Sequence, residues 1–145
     1  MPVDFILGTD AKLYQGASGT ALAALTEMSN VKDVNLSLDA GESDVTTRAN
    51  SGWRATAPGL KEMTIEFEMV WKPSDAGFNA VKSAFLNGTV IELAALTQAR
   101  EVPGAQGPKG SFSITSFSRS EPLEEAITVS VTAKLNTYRE WVEVA

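Results

Sequence analysis

Carboxylates are the groups in this chain whose spacing could do chemistry. Asp39, Glu42 and Asp44 lie close together in a polar stretch, as calcium ligands do. They lack the alternate Asp/Asn positions and the closing Glu of an EF-hand, so a solvated turn is the better reading. Glu66 and Glu68 stand two residues apart, on one face of any strand that holds them. A catalytic acid pair needs neighbours that split the two protonation states, and a solvated strand face needs nothing further. The run Gly104-Ala105-Gln106-Gly107-Pro108-Lys109-Gly110 has the glycines of a phosphate-binding loop. It lacks the Gly-Lys-Ser/Thr ending and precedes a strand where a helix N-terminus is required.

What is missing narrows the chemistry further. The chain has no cysteine and no histidine. That removes disulfides, thiolate nucleophiles, the usual zinc and iron-sulfur ligands and the commonest general base. A Ser-His-Asp, Cys-His or His-metal mechanism is thereby excluded within this chain. A glycosidase-like hydrolase working through carboxylates needs a cleft, for which so short a chain offers little wall. The expectation is a protein that is not an enzyme, with no catalytic residue, cofactor or metal.

The chain has 145 residues, the size of one domain spanning residues 1–145, with 43% hydrophobic and 21% charged residues. Mean hydropathy is -0.04. A globular core is therefore expected. Twelve Lys+Arg against 18 Asp+Glu give a net charge of -6, with an isoelectric point near 4.6. Such a balance opposes tight phosphate contacts with nucleic acid and binding to an anionic membrane surface. The start, Met1 to Gly8, lacks the basic and apolar regions of a signal peptide, so synthesis in a cytoplasm is expected, and no run is long enough to span a bilayer. Without secretion, the triplets Asn35-Leu36-Ser37 and Asn87-Gly88-Thr89 carry no weight as glycosylation sites.

The elements that must position any site are mainly strands. From Leu60 to Trp71, Met63, Ile65, Phe67, Met69 and Trp71 alternate with Glu62, Thr64, Glu66, Glu68 and Val70. Ala126 to Asn136 alternates likewise, and Val34, Leu36 and Leu38 mark a third strand. Phe112 and Ile114 open a fourth, with a bulge or strand end expected near Ser116, where Phe117 breaks the alternation. Val90 to Leu96 and Trp141 to Val144 are further strands, and Ala21 to Met28 is an ambiguous short one. The helical spacing of Phe78, Val81, Phe85 and Leu86 predicts one helix over Asp75 to Leu86, capped by Pro73-Ser74-Asp75 and stopped by Asn87-Gly88. The expected fold is mainly β: an antiparallel β-sandwich or barrel with one packed α-helix.

Two long loops interrupt this skeleton: an extended loop over 39–59 and a flexible, glycine-rich loop over 100–110. Trp53 lies in the first, among Arg48, Asn50, Ser51, Gly52 and Arg54. It either tucks back on the core or anchors a protein contact, since aromatic and arginine residues together favour interface hot spots. The same mixture recurs at Tyr138, Arg139 and Trp141.

The order of several short motifs carries a family resemblance. Asn30-Val31-Lys32-Asp33-Val34, Asp44-Val45-Thr46-Thr47-Arg48, Gly52-Trp53-Arg54 and Gly59-Leu60-Lys61 are followed by Phe117-Ser118-Arg119-Ser120-Glu121-Pro122-Leu123 and Val129-Ser130-Val131-Thr132. Together, over about residues 8 to 135, they resemble the pattern of phage major tail tube proteins of the long, non-contractile tail type. The resemblance implies two packed sheets with a flanking helix, in a subunit that self-assembles into stacked hexameric rings around a channel for DNA. It implies a place in the virion tail after synthesis in the bacterial host cytoplasm. The expected partners are further copies of the chain and other tail proteins: tape measure, tail terminator and distal tail. DNA would pass without specific binding, and no membrane is involved. Prophage remnants, gene transfer agents and secretion tubes share the architecture.

On that basis Asp44, Thr46, Arg48, Trp53 and Arg54 are candidates for contact between rings. Glu62, Glu66 and Glu68 are candidates for the lumen, and the Thr128, Ser130 and Thr132 face is the rival placement. The alternative from another class is a small β-sandwich module binding a ligand or carbohydrate through its loops.

Overall fold

Two-residue alternation becomes strand throughout the computed structural model, which describes residues 6–145. Among the described residues seven strands form: β1 (Lys12–Ala17), β2 (Thr26–Glu27), β3 (Val31–Asp44), β4 (Thr56–Val70), β5 (Val90–Leu96), β6 (Gln106–Ser120) and β7 (Thr128–Glu143). One helix, α1 (Ala76–Asn87), lies between β4 and β5. All pairings of these strands are antiparallel, and hydrogen bonding joins the seven strands into one sheet in the order β2-β1-β5-β6-β7-β4-β3.

The apolar side of β4 (Met63, Ile65, Phe67, Met69) packs with Val129, Val131 and Ala133 of β7, Ile91 and Leu93 of β5, and Leu13 of β1. β1 and β4 are separated by three strands in the sheet, yet their side chains share one core. The sheet is therefore curled, so that its two halves face each other as a sandwich's sheets do. The curl stays open. A cleft of about 1090 Å³ separates the start of β3 from β1, with Leu13, Met28, Val34, Leu36 and Trp141 among its walls.

Helix α1 starts where the cap chemistry places it: the Asp75 carboxylate accepts the Phe78 N–H at 2.9 Å. It stops at Gly88, whose φ of 68° is left-handed and whose N–H donates to the Ala84 carbonyl. Phe78, Val81 and Ala84 are the buried face, and Phe78 meets the Trp71 ring edge-on at 4.8 Å. Leu86, expected on this face, is exposed, and Phe85 lies on the Phe117 ring outside the buried core.

Three other expectations are corrected. About half of the segment 39–59 is strand, because β3 runs to Asp44 and β4 starts at Thr56. Both sides of this part of the hairpin face solvent, so it shows no alternation to read. The glycine-rich segment 100–110 loses its second half to β6, in which Gly107, Pro108, Lys109 and Gly110 are buried. Its glycines serve close packing: a Cβ on Gly107 would lie 1.7 Å from the Ala95 carbonyl oxygen. The stretch Trp141 to Val144 continues β7 as far as Glu143 and is not a separate strand. Val90–Leu96 forms as expected, and one of the three register shifts of β6 against β7 falls between Ile114 and Ser116.

Candidate assembly surfaces

The first surface is the β3–β4 hairpin. β3 ends the sheet, so among the described residues one side of its backbone has no strand partner. All of it beyond Val31 is exposed, including Val34, Leu36 and Leu38, which lie opposite Phe67, Ile65 and Met63 of β4. A fourteen-residue edge with apolar side chains on it suits pairing with another chain.

The tip of the hairpin gathers the five residues expected at a ring contact. Asp44 ends β3, and its Oδ1 accepts the Thr46 N–H at 2.9 Å. The Thr46 hydroxyl and amide hold the Asp44 carboxyl below its ordinary value. The same hydroxyl accepts the Ala55 N–H at 2.8 Å, which closes the neck of the tip. Arg48 opens a short 3-10 turn to Asn50, and the chain reverses through left-handed Ser51 and Gly52. The Trp53 N–H donates to the Asn50 carbonyl, and the Asn50 side-chain amide donates to the Trp53 carbonyl at 2.8 Å. This backbone framework holds Trp53 and Arg54 outward. Trp53 is 76% exposed, so it does not tuck into the subunit's own core.

The second surface is the side of the sheet turned away from the core. Glu66 lies opposite Thr132 and Glu68 opposite Ser130, with Val70 opposite Thr128. The two placements that compete in the sequence, the Glu face of β4 and the Thr/Ser face of β7, are therefore a single face. β6 extends it with Ser116 and Ser118, paired to Thr132 and Ser130. Asp39 joins it opposite Glu62. Its cations are few: Lys134 opposite Thr64, and Lys32, whose Nζ lies 3.7 Å from Glu68. The face is polar and net acidic.

A third feature escapes sequence reasoning. Glu92 of β5 is fully buried. Its Oε2 accepts Lys109 Nζ at 2.7 Å, while Oε1 accepts the Gly19 N–H, the Ser111 hydroxyl and Arg139 Nε, each at 3.0 Å. Burial pushes this carboxyl up, but Lys109, the Gly19 amide, Arg139 and Ser111 outweigh it and hold the pKa at about 2. The Gly19 bond pins the segment between β1 and β2 over the sheet. Arg100 fastens the same segment by donating to the Leu22 and Leu25 carbonyls, with its guanidinium over the Tyr14 ring. Leu25 thereby closes a second small core with Tyr14, Ala94, Leu96 and Val142. The readable signal was one acid inside the apolar run Val90–Leu96, since a buried charge requires a partner. Its partner Lys109 lay in the glycine-rich segment expected to be a mobile loop.

Among the described residues no group of His, Cys, Asp and Glu could hold a metal. A family model described as phage tail tube protein matches residues 8–138. No curated protein matches the chain in sequence. Among solved structures, the SPP1 tail tube superimposes with a TM-score of 0.75 at 20% identity, over 97% of this chain and 81% of that one. The tail of an empty gene transfer agent particle, refined with C6 symmetry, gives 0.72 at 19% identity over 96% and 98%. The six-fold symmetrised baseplate of the anti-feeding prophage gives 0.69 at 5% identity over 99% of both chains. At these identities the likeness is one of fold.

Proposed function

The chain belongs to the phage tail tube protein family, and from that premise we propose that it is a structural subunit that self-assembles into stacked hexameric rings forming a conduit for DNA. The observation that carries this reading is the β3 edge: fourteen residues long, exposed beyond Val31, and bordering a cleft that the subunit's own sheet leaves open. A neighbouring copy that pairs with this edge continues the sheet and covers Val34, Leu36 and Leu38. The motif order favours the long, non-contractile tail type. In this reading tape measure, terminator and distal tail proteins meet the ends of the tube, and the subunit passes from the host cytoplasm into the virion tail.

The acidic face of β4 and β7 suits a channel wall. DNA that must slide needs a surface without clustered Lys and Arg, because each phosphate contact adds affinity and friction. Glu62, Glu66 and Glu68 with Thr128, Ser130 and Thr132 meet that requirement together. The tip residues Asp44, Thr46, Arg48, Trp53 and Arg54 then lie where a subunit meets the next ring. Electron microscopy of the concentrated protein tests the assembly, with tubes or rings of uniform diameter and six-fold class averages as the expected result. Protein that stays monomeric by sedimentation at its highest soluble concentration, and does not add to preformed tube ends, would overturn the proposal.

A further inference from the structure

The two ends of the β3–β4 hairpin differ in chemistry. β4 spans fifteen residues, so about 50 Å separates its ends at 3.3 Å per residue. At one end stands the Trp53 tip, where residues 45–55 hold Arg48 and Arg54 and no acid, and Asp44 at the neck is bonded to the Thr46 N–H. At the other, Val70 lies opposite Thr128 and Thr128 opposite Ser120, so the turn between β6 and β7 caps the end of β4. That turn reads Glu121-Pro122-Leu123-Glu124-Glu125, all exposed, with Leu123 at 100%. It contains three carboxylates and no cation. Lys72 and Arg119 border it, and Arg119 is engaged with Glu121 at 3.2 Å and with the Trp71 ring. Among the described residues, Glu124 and Glu125 form no ion pair.

A cationic tip bearing an exposed indole and an acidic turn bearing an exposed leucine are complementary, and within one subunit they are too far apart to meet. Contact between two such unlike patches is heterologous, and repetition along an axis gives an open filament. We propose that the Glu121–Glu125 turn is the acceptor for the hairpin tip of a second copy in the adjacent ring. The Trp53 indole lies against Leu123, and Arg48 and Arg54 face Glu124 and Glu125. This rests on the tube reading above and adds the surface that receives the tip. It also gives the stack a direction, since every subunit presents its tip to one side and its acceptor turn to the other.

Charge reversal tests it. Glu124→Arg with Glu125→Arg changes only exposed side chains, so circular dichroism and melting should match the parent. The expected result is a critical concentration for tube growth raised about tenfold or more, since exposed attractive pairs become repulsive ones. Adding Arg48→Glu and Arg54→Glu to the same chain should restore growth. As a second readout, Ser51→Cys with Pro122→Cys should give a covalent ladder of multiples in oxidised tubes. The chain has no other cysteine, and the two sites are too distant to bridge within one subunit. Parent tubes alongside unaffected reversed-charge tubes and no ladder would overturn the acceptor assignment while leaving the tube reading intact. A parent that forms neither rings nor tubes would overturn both.

Discussion

Glu92→Gln should be among the most damaging polar substitutions in the subunit, although it leaves shape nearly unchanged. The carboxylate is fully buried and receives four donors, and its partner Lys109 is only 6% exposed. Folding lowers its pKa from 4.5 to about 2, a gap equivalent to roughly 3 kcal/mol by linkage. Removing one member of a buried ion pair costs about 3–5 kcal/mol on general grounds, because the other charge is left without its counterion. The two routes agree. For a chain of this length the melting temperature should fall by about 10 °C, and amide exchange at Gly19 should speed up as its acceptor weakens. Because the folded pKa is depressed, the contribution is complete above pH 4.5 and is lost as pH falls towards 2. Urea unfolding followed by tryptophan fluorescence at several pH values measures this directly: the parent should lose stability through that window and Glu92→Gln should lose less. Glu92→Gln with Lys109→Met should recover much of the loss, since no buried charge then lacks its partner. A single variant within about 0.5 kcal/mol of the parent, or an acid profile unchanged by it, would refute the reasoning.

Two further outcomes can be measured. Gly107→Ala should prevent soluble expression or lower stability by about 3 kcal/mol or more, because the new methyl falls 1.7 Å from the Ala95 carbonyl and forces β5 from β6; a soluble variant with the parent's urea midpoint would contradict that packing. Glu66→Lys with Glu68→Lys should leave tubes intact but slow DNA passage, read as ejection rate or infectivity of the parent particle, and unchanged passage would remove this face from the channel wall.

Legibility in the sequence followed burial. β5 was readable as a continuous apolar run, with Ile91 and Leu93 in the main core and Ala94 and Leu96 in the second, and α1 was readable because one of its faces is apolar and its ends carry Asp75, Asn87 and Gly88. β1 was missed because both of its sides are covered: Leu13 enters the main core and Tyr14 the second one, so Lys12–Ala17 shows no alternation. The outer hairpin was missed for the opposite reason. Neither side of it is covered, and strand there is held by pairing to β4 and by the Asp44–Thr46–Ala55 bonds. Trp53 could be singled out from its polar company. The union of the Glu66 and Thr132 faces could not, because it depends on register between strands distant in sequence. The Glu92 network has the same long-range character, joining residues 19, 92, 109, 111 and 139.

The distribution of burial along β4 bears on how folding and assembly are divided. From Met63 onward the strand supplies one core residue at every second position, whereas from Thr56 to Glu62 it supplies none, and β3 supplies only the half-buried Val31 to the edge of that core. The outer half of the hairpin therefore adds little to the free energy of the isolated subunit, which comes from apolar area removed from water elsewhere. Natural sheets blunt such an edge with bulges, proline and charge. Here register shifts flank Val34 and Gly41, Pro58 lies opposite Glu42, and Lys32, Asp33, Asp39, Glu42 and Asp44 line the strand. Those features restrain indiscriminate pairing without burying the edge. A net charge of -6 adds a general repulsion between copies, so a stable contact must match charge locally, as the arginine-bearing tip and the acidic turn do. Substitutions in the hairpin tip should then alter assembly while sparing the fold, and substitutions in the Glu92 network should reach assembly only through the stability of the subunit.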